Sequence, residues 1–451
     1  MPDVFNFAHP EYHDPVLNNH SGQGASIFTT VVSQCATAIG AGVLALIFAA
    51  GRLGYGNTAI FFGLSAFLAF FTFILIGRAV VYLSAYNYEA VVRKAFNTKA
   101  GVAVSLLIIT YLLGVVAVYF ILIADSFANA MAFLTGTNPD QRYVFLNYRV
   151  LVIVFAYCIV FPLALKKTLH ALKLFSAFAL VAILYVVGYL MYVTLRFLST
   201  NGSVDLRNPE LIGRPRNFPA FNWSPLSAVF LSMSTIAFAF SSHLAAPNIV
   251  RELHKLSFKR LDFAAFCAFV FISIVYATTI VFGFLLFGDS GFDNLLLSLD
   301  FNTLGAFFAN AGVVVLLVVS AAIVLAPSKD QSTELIRRLS SYDRMSWLRG
   351  AFVDDLAVQK PPLKTFSYVL LVLVLISLSV LIALISEDIG DLVSFLGAFI
   401  ASFLVFLLPS IVYWKVVPEK SLFGLVVTTI AVFYGLVLFT MGGYFSFINL
   451  F

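Results

Sequence analysis

The chain has 451 residues, of which 61% are hydrophobic and only 11% charged. A soluble domain carries about a quarter charged residues, so that class is excluded. The net charge of +5 calls for no nucleic-acid partner, because the Lys and Arg cluster in particular loops.

Runs of roughly 20 apolar residues, each long enough to cross a bilayer, recur along the whole length. They predict an all-α integral membrane protein of eleven transmembrane helices, near 27–50, 57–84, 101–131, 148–165, 172–196, 226–249, 262–287, 304–326, 366–386, 392–414 and 421–447. A polar stretch, 1–25, precedes them and has none of the features of a cleavable signal peptide. Its His9, His13 and His20 are separated by Pro10 and Pro15, which break a regular helix, so they read as part of a solvated tail.

The first span is interrupted in its middle by Gly40-Ala41-Gly42. Non-helical backbone is tolerated at membrane depth only beside protein or a polar cavity. Where helix restarts, around Ala41, Gly42 and Val43, free N–H groups and the positive dipole end would bind a carboxylate. Before the break, carbonyls near Cys35, Ala36 and Thr37 would accept from an ammonium group or coordinate a cation. A zwitterionic amino acid satisfies both ends. Small residues that let helices pack closely explain the glycines equally well.

Arg78 closes the second span, where a long side chain snorkels to the interface. Asp125, in the third, is a candidate proton carrier or a headgroup-level residue. Between spans five and six the 201–225 loop holds two N-x-S/T sequons, at Asn201 and Asn222.

The sixth span carries Phe240-Ser241-Ser242-His243 at mid-membrane depth. Two hydroxyls and an imidazole there indicate a second break and a functional group that titrates in the physiological range. A neutral histidine hydrogen-bonded between helices is the alternative. Interruptions at equivalent places in two halves point to a transporter's substrate site. The halves are 26–200 and 226–414, each of five helices, followed by the eleventh helix in 415–451.

The 328–364 loop contains Leu335, Ile336, Leu339, Tyr342, Met345 and Leu348 among arginines, which suggests an amphipathic helix on the membrane surface. With the N-terminus cytosolic and the C-terminus extracytosolic, most of the 27 Lys and Arg fall in cytosolic loops. Both sequons then lie outside. Cys35, Cys158 and Cys267 all fall within spans, so neither a disulfide nor a metal site is expected. Enzyme motifs such as H-E-x-x-H, G-x-S-x-G or a phosphate loop do not occur in a plausible context, nor does a channel filter.

Five motifs in order resemble one family. They are Ile39-Gly40-Ala41-Gly42-Val43-Leu44, Tyr88-Glu89 with Lys94-Ala95-Phe96, Phe240 and His243 with Glu252-Leu253, Phe282-Gly283-Phe284 running to Gly288-Asp289, and Leu408-Pro409 with Tyr413 and Lys415. Together they are similar to the amino acid/auxin permeases, in particular the sodium-coupled neutral amino acid transporter branch and the yeast vacuolar transporters. The resemblance covers about 26–447. It implies a five-plus-five inverted repeat of LeuT-like type with helices 1 and 6 broken, moving amino acids by alternating access. The implied substrate contacts are the Gly40–Val43 backbone and the Phe240–His243 segment. The implied sodium site pairs the first helix with a hydroxyl on the eighth, here Ser320.

Departures from the family pattern are Ala36 where the sodium-coupled branch has Asn, Ile47 after the glycine motif, Asn97 for Gly, and Pro247 one residue early. Ala36 removes a side-chain ligand and favours protons over Na+ as the coupling ion, or uncoupled exchange. The expected function is a secondary active, proton-linked amino acid transporter without a cofactor, in the plasma or the vacuolar/lysosomal membrane. Its partners are an amino acid and membrane lipid. The rival readings are an amino acid sensor on the same fold, a sodium-coupled symporter and, remotely, a membrane-embedded enzyme.

Overall fold

In hydrocarbon a helix satisfies its backbone within one segment, and the apolar runs fold accordingly. The computed structural model describes residues 25–40, 42–136, 147–165, 170–200, 219–289, 294–300, 302–340, 365–386, 388–417 and 420–450. The secondary structure of these residues is helical apart from one isolated bridge between Ala25 and Leu253. The histidine-bearing tail, Ala41, Asn201 and the 341–364 part of the long loop lie outside the described residues.

The elements are α1 Ile27–Ala38, α2 Gly42–Leu53, α3 Tyr55–Tyr82, α4 Tyr88–Ala95, α5 Thr98–Thr135, α6 Tyr148–Ala164 and α7 His170–Ser199. Then come α8 Leu226–Ala239, α9 Ala246–Glu252, α10 Phe258–Phe287, α11 Leu295–Ser298 and α12 Leu304–Ser340. The chain finishes with α13 Thr365–Ile385, α14 Ile389–Val416 and α15 Leu422–Asn449. Among the described residues nine helical stretches are long and apolar enough to cross a membrane, and the bent pair α1–α2 makes ten. The one remaining expected span, the fourth, is α6, and it is shorter. Its apolar helix of 17 residues spans about 25 Å at 1.5 Å per residue, less than the roughly 30 Å of a bilayer core.

α5 and α14 are the centre of the bundle, with 78% of each apolar window buried. α5 runs along α12, and α14 packs on α8 and α15. Asn97 caps α5 by accepting from the Ala100 N–H at 2.9 Å, which gives this departure from the family pattern a structural role. α12 does not stop at Pro327. It continues to Ser340, so the 328–364 stretch begins as an extension of the span.

Both ends of the α1–α2 and α8–α9 pairs are fastened. The Ala25 N–H donates to the Glu252 carbonyl at 2.7 Å, and the His254 N–H donates to the Ala25 carbonyl at 3.0 Å. At the far end of α2, Gly54 has φ +77° and brings Pro219 so close that a Cβ would sit 2.4 Å from its carbonyl oxygen. Only glycine fits there.

Arg78 does not snorkel. It is 4% exposed and ion-pairs with Asp262 of α10, with Phe258 beneath its guanidinium at 5.2 Å. The pairing arises because α3 and α10 bring opposite charges to one depth, which a single span's sequence does not reveal. Of the three cysteines only Cys35 is buried; Cys158 is exposed.

Candidate functional site

The first interruption forms as α1 leaves its hydrogen-bonded turns. Ile39 leaves the helical region (φ −82°, ψ 79°), its N–H still donating to the Cys35 carbonyl at 2.8 Å. The Gly40 N–H turns back to the Ala38 carbonyl at 3.0 Å, and helix resumes at Gly42. α1 and α2 lie at 58° to each other.

The glycines here serve close approach. A Cβ on Gly42 would lie 2.8 Å from the Ala239 Cα, and one on Gly40 would lie 3.1 Å from the Tyr119 hydroxyl. Gly42 therefore seats the start of α2 on the last residue of α8. The two interruptions meet.

The second interruption is a tight turn. The Ser241 N–H reaches back to the Phe238 carbonyl, the Ser242 N–H to that of Phe240 and the Ala245 N–H to that of Ser242, each at 3.0 Å. Pro247 then falls in the first turn of α9, where its missing N–H costs nothing.

Tyr276 of α10 joins the two interruptions. Its hydroxyl lies 2.7 Å from the Ala38 carbonyl and 2.9 Å from the Ala239 carbonyl, the last residues of α1 and α8. The ring packs edge-on against Phe240 at 5.4 Å, and Phe240 meets Phe62 of α3 at 5.3 Å.

His243 is 1% exposed, and its Nε2 lies 3.0 Å from the Thr72 hydroxyl on α3. Thr72 has one proton, and its better acceptor is the Leu68 carbonyl at 2.8 Å. With that proton spent on a backbone carbonyl, Thr72 is left as an acceptor for a hydrogen on Nε2, the arrangement of a neutral ring. Nδ1 has no hydrogen-bond partner among the described residues. Ser241 donates to the Phe238 carbonyl at 2.5 Å and so accepts from the hydroxyl of Tyr111 on α5. The Ser242 hydroxyl is buried without a partner among the described residues.

Other candidates from the sequence sit elsewhere. Thr37 is exposed and donates back to the Ser33 carbonyl at 2.8 Å, a bond that spends its hydroxyl within its own helix. The Cys35 thiol points to the Ala268 carbonyl at 3.8 Å; Ala36 is half-buried and Val43 buried. Ser320 is half-buried on α12, which packs chiefly along α5 and α7, whereas α1 packs on α7 and α10. Asp125 accepts from Asn294 at 3.2 Å, and Asn294 caps α11, so the carboxylate anchors a connecting helix. Asn222 donates through its amide nitrogen to the Arg52 carbonyl at 2.9 Å. It lines a cavity of about 350 Å³ at the far end of α2, shared with Arg52 and Asp289.

Sequence reasoning missed Thr72, Tyr111, Tyr119 and Tyr276, which surround the interruptions. It also missed Gln34, buried on α1 with neither amide atom partnered among the described residues. Their common signal is a polar side chain within an otherwise apolar run.

Residues 23–448 match the family described as transmembrane amino acid transporter protein. The chain is 25% identical over 331 residues to vacuolar amino acid transporter 5 of Schizosaccharomyces pombe, covering 72% of this chain and 73% of that one. It is 25% identical over 405 residues to sodium-coupled neutral amino acid transporter 7 of Xenopus laevis, covering 88% and 82%. Among solved structures, MhsT in complex with L-phenylalanine aligns over 93% of this chain and 99% of its own, with a TM-score of 0.57 and 13% identity. That likeness concerns the fold alone and agrees with a LeuT-like architecture. The resemblance read from the five motifs is thus borne out, and the chain belongs to the transmembrane amino acid transporter family, whose members are carriers and not enzymes.

Proposed function

We propose that this chain is a secondary active, proton-linked amino acid carrier that works by alternating access. The zwitterionic substrate is held where the two discontinuous spans, α1–α2 and α8–α9, meet. The observation that carries this reading is the contact of Gly42 with Ala239, which puts the N-terminal end of α2 beside the C-terminal ends of α1 and α8. Donors for a carboxylate and acceptors for an ammonium then lie together. Proton linkage is supported by Ala36, which offers no side-chain ligand to a cation, and by the placement of the His243 imidazole at the second interruption.

In this reading α6 completes eleven spans, and the two five-helix halves are inverted repeats. The N-terminus is cytosolic, as the Lys and Arg distribution favours, and the C-terminus extracytosolic. The membrane is the plasma or the vacuolar/lysosomal one. Purified protein in liposomes, offered a panel of amino acids under separately imposed proton and sodium gradients, tests the proposal. Uptake accelerated by an inward proton gradient supports it, whereas uptake that requires sodium refutes the coupling. Substrate binding without any uptake would instead favour an amino acid sensor.

A further inference from the structure

We propose that residues 219–224 form a clasp that keeps the outer ends of α2 and α8 together throughout the transport cycle, with Asn222 as its positioning residue. This rests on the proposed placement of the substrate between the two discontinuous spans. It concerns how those spans move rather than what they bind.

A helix end leaves backbone groups without partners, carbonyls at the C-terminus and N–H groups at the N-terminus. The corner between α2 and α3 brings both kinds together, since α2 ends at Leu53 and α3 begins at Tyr55. Residues 219–222 satisfy both. The Pro219 carbonyl accepts from the Tyr55 N–H at 3.1 Å, and the Ala220 carbonyl accepts from the Gly56 N–H at 2.6 Å. The Asn222 N–H donates to the Leu53 carbonyl at 3.0 Å. Its side-chain nitrogen donates to the Arg52 carbonyl, and its own carbonyl accepts from the Asn57 amide, both at 2.9 Å. Its Oδ1 accepts from the Ser224 N–H at 3.3 Å. Asn222 alone therefore reaches the last turn of α2, the first turn of α3 and the residues that lead to α8.

Glycine permits the approach, because a Cβ on Gly56 would stand 2.7 Å from the Ala220 carbonyl oxygen. Trp223 extends the contact along α3 by meeting Phe61 edge-on at 6.1 Å. α8 begins at Leu226, and the four residues from Asn222 to that point reach about 14 Å at full extension. The first turn of α8 is thus leashed to the corner.

At the other end of the pair, Ala25 ties the start of α1 to the end of α9 through Glu252 and His254. Between the two ties Gly42 rests on Ala239. Joined at both ends and in the middle, the discontinuous spans turn as one body. Parting α2 from α8 would strip the caps from two helix ends at once. The outer entrance to the site then opens elsewhere than between α2 and α8.

The test introduces Phe61→Cys and Trp223→Cys into the full-length protein and bridges the two thiols with a short, reducible bifunctional reagent. The protein without the introduced pair receives the same treatment, which controls for the exposed Cys158. Uptake in liposomes and thermal unfolding in detergent are both measured. The bridged protein is expected to keep the uptake it had before bridging. Asn222→Ala is expected to lose about fivefold in uptake, the scale of one or two hydrogen bonds. Bridging the same pair in that variant should restore it, a rescue that a defect elsewhere in the fold would not show. Uptake that is abolished by bridging and recovered on reduction would overturn the proposal. So would Asn222→Ala with wild-type uptake, or a loss that bridging leaves unrepaired. Unfolding temperature should fall in Asn222→Ala and recover on bridging. This readout needs no transported substrate, so failure of the clasp is separate from failure of the transport reading. Should Asn222→Ala not fold, the effect of bridging with Asn222 in place decides alone.

Discussion

Thr72 and His243 share a hydrogen bond of 3.0 Å between the threonine hydroxyl and Nε2, and both residues are buried. The bond crosses from the middle of α3 to the turn that opens α9. It fixes the imidazole tautomer and at the same time fastens the interruption of the second discontinuous span to a continuous helix. Phe73, next to Thr72, packs edge-on against the same imidazole at 5.6 Å, so the ring has little freedom to turn.

Replacing Thr72 with valine should therefore affect both stability and proton response. The shape is kept, while Nε2–H loses its acceptor, a loss of about 1–3 kcal/mol for a buried donor. Thermal unfolding in detergent should fall for Thr72→Val and be restored in Thr72→Ser. In His243→Ala, uptake should lose the acid stimulation expected of the wild type. If the pH profile of uptake is the same with and without the imidazole, His243 is not the proton-sensitive group.

Gly42 and Gly40 should respond differently to the same added methyl group. At Gly42 the obstacle is the Ala239 backbone at 2.8 Å, which cannot move without shifting α8. At Gly40 the obstacle is the end of the Tyr119 side chain at 3.1 Å. Gly42→Ala should lower uptake by about tenfold or more, equivalent to roughly 1.4 kcal/mol, with surface expression retained. Gly40→Ala should cost less, and Tyr119→Phe should relieve it. Equal losses at the two positions would contradict the geometry.

The helices were legible in the sequence because hydrocarbon length and backbone satisfaction leave few alternatives, and Gly40-Ala41-Gly42 and Ser241-Ser242-His243 stand out there as departures from an otherwise uniform pattern. What closes around them was not legible. Tyr276 lies 37 residues from Ala239 and 238 from Ala38 in the chain, and nothing local marks it as their partner. Arg78 shows the same limit. Its isolation within a span suggested an escape to the interface, whereas the actual solution is a carboxylate on a helix far along the chain. Ser320 rests on a resemblance, which places a residue on a helix without saying what that helix packs against.

Ile47, one of the departures from the family motif, is accommodated by a glycine on another helix. A Cβ on Gly283 of α10 would come within 2.2 Å of the Ile47 side chain. Close packing through a small residue is how membrane helices gain dispersion contacts without a hydrophobic drive. Gly283→Val should separate α2 from α10 and lower both unfolding temperature and uptake. Combining it with Ile47→Ala should recover much of the loss, because the freed volume accepts the new side chain. A double variant no better than Gly283→Val would show that the glycine serves something other than this contact.

The Arg78–Asp262 pair offers a test with a built-in asymmetry. The arginine side chain is 5% exposed and the aspartate 26% exposed. Removing one partner of a buried pair costs about 3–5 kcal/mol because the remaining charge stays desolvated, and the figure falls when that charge can reach water. Asp262→Leu leaves the more deeply buried guanidinium with only its other contacts, among them the face of Phe258. Arg78→Met leaves the carboxylate that is already a quarter exposed. The aspartate substitution should therefore lower the unfolding temperature in detergent more than the arginine substitution does. The double variant should be more stable than Asp262→Leu alone, since two apolar side chains of similar volume restore packing between α3 and α10 without an unpaired charge. The reverse order of the single variants would mean that Arg78 is held mainly by groups other than Asp262.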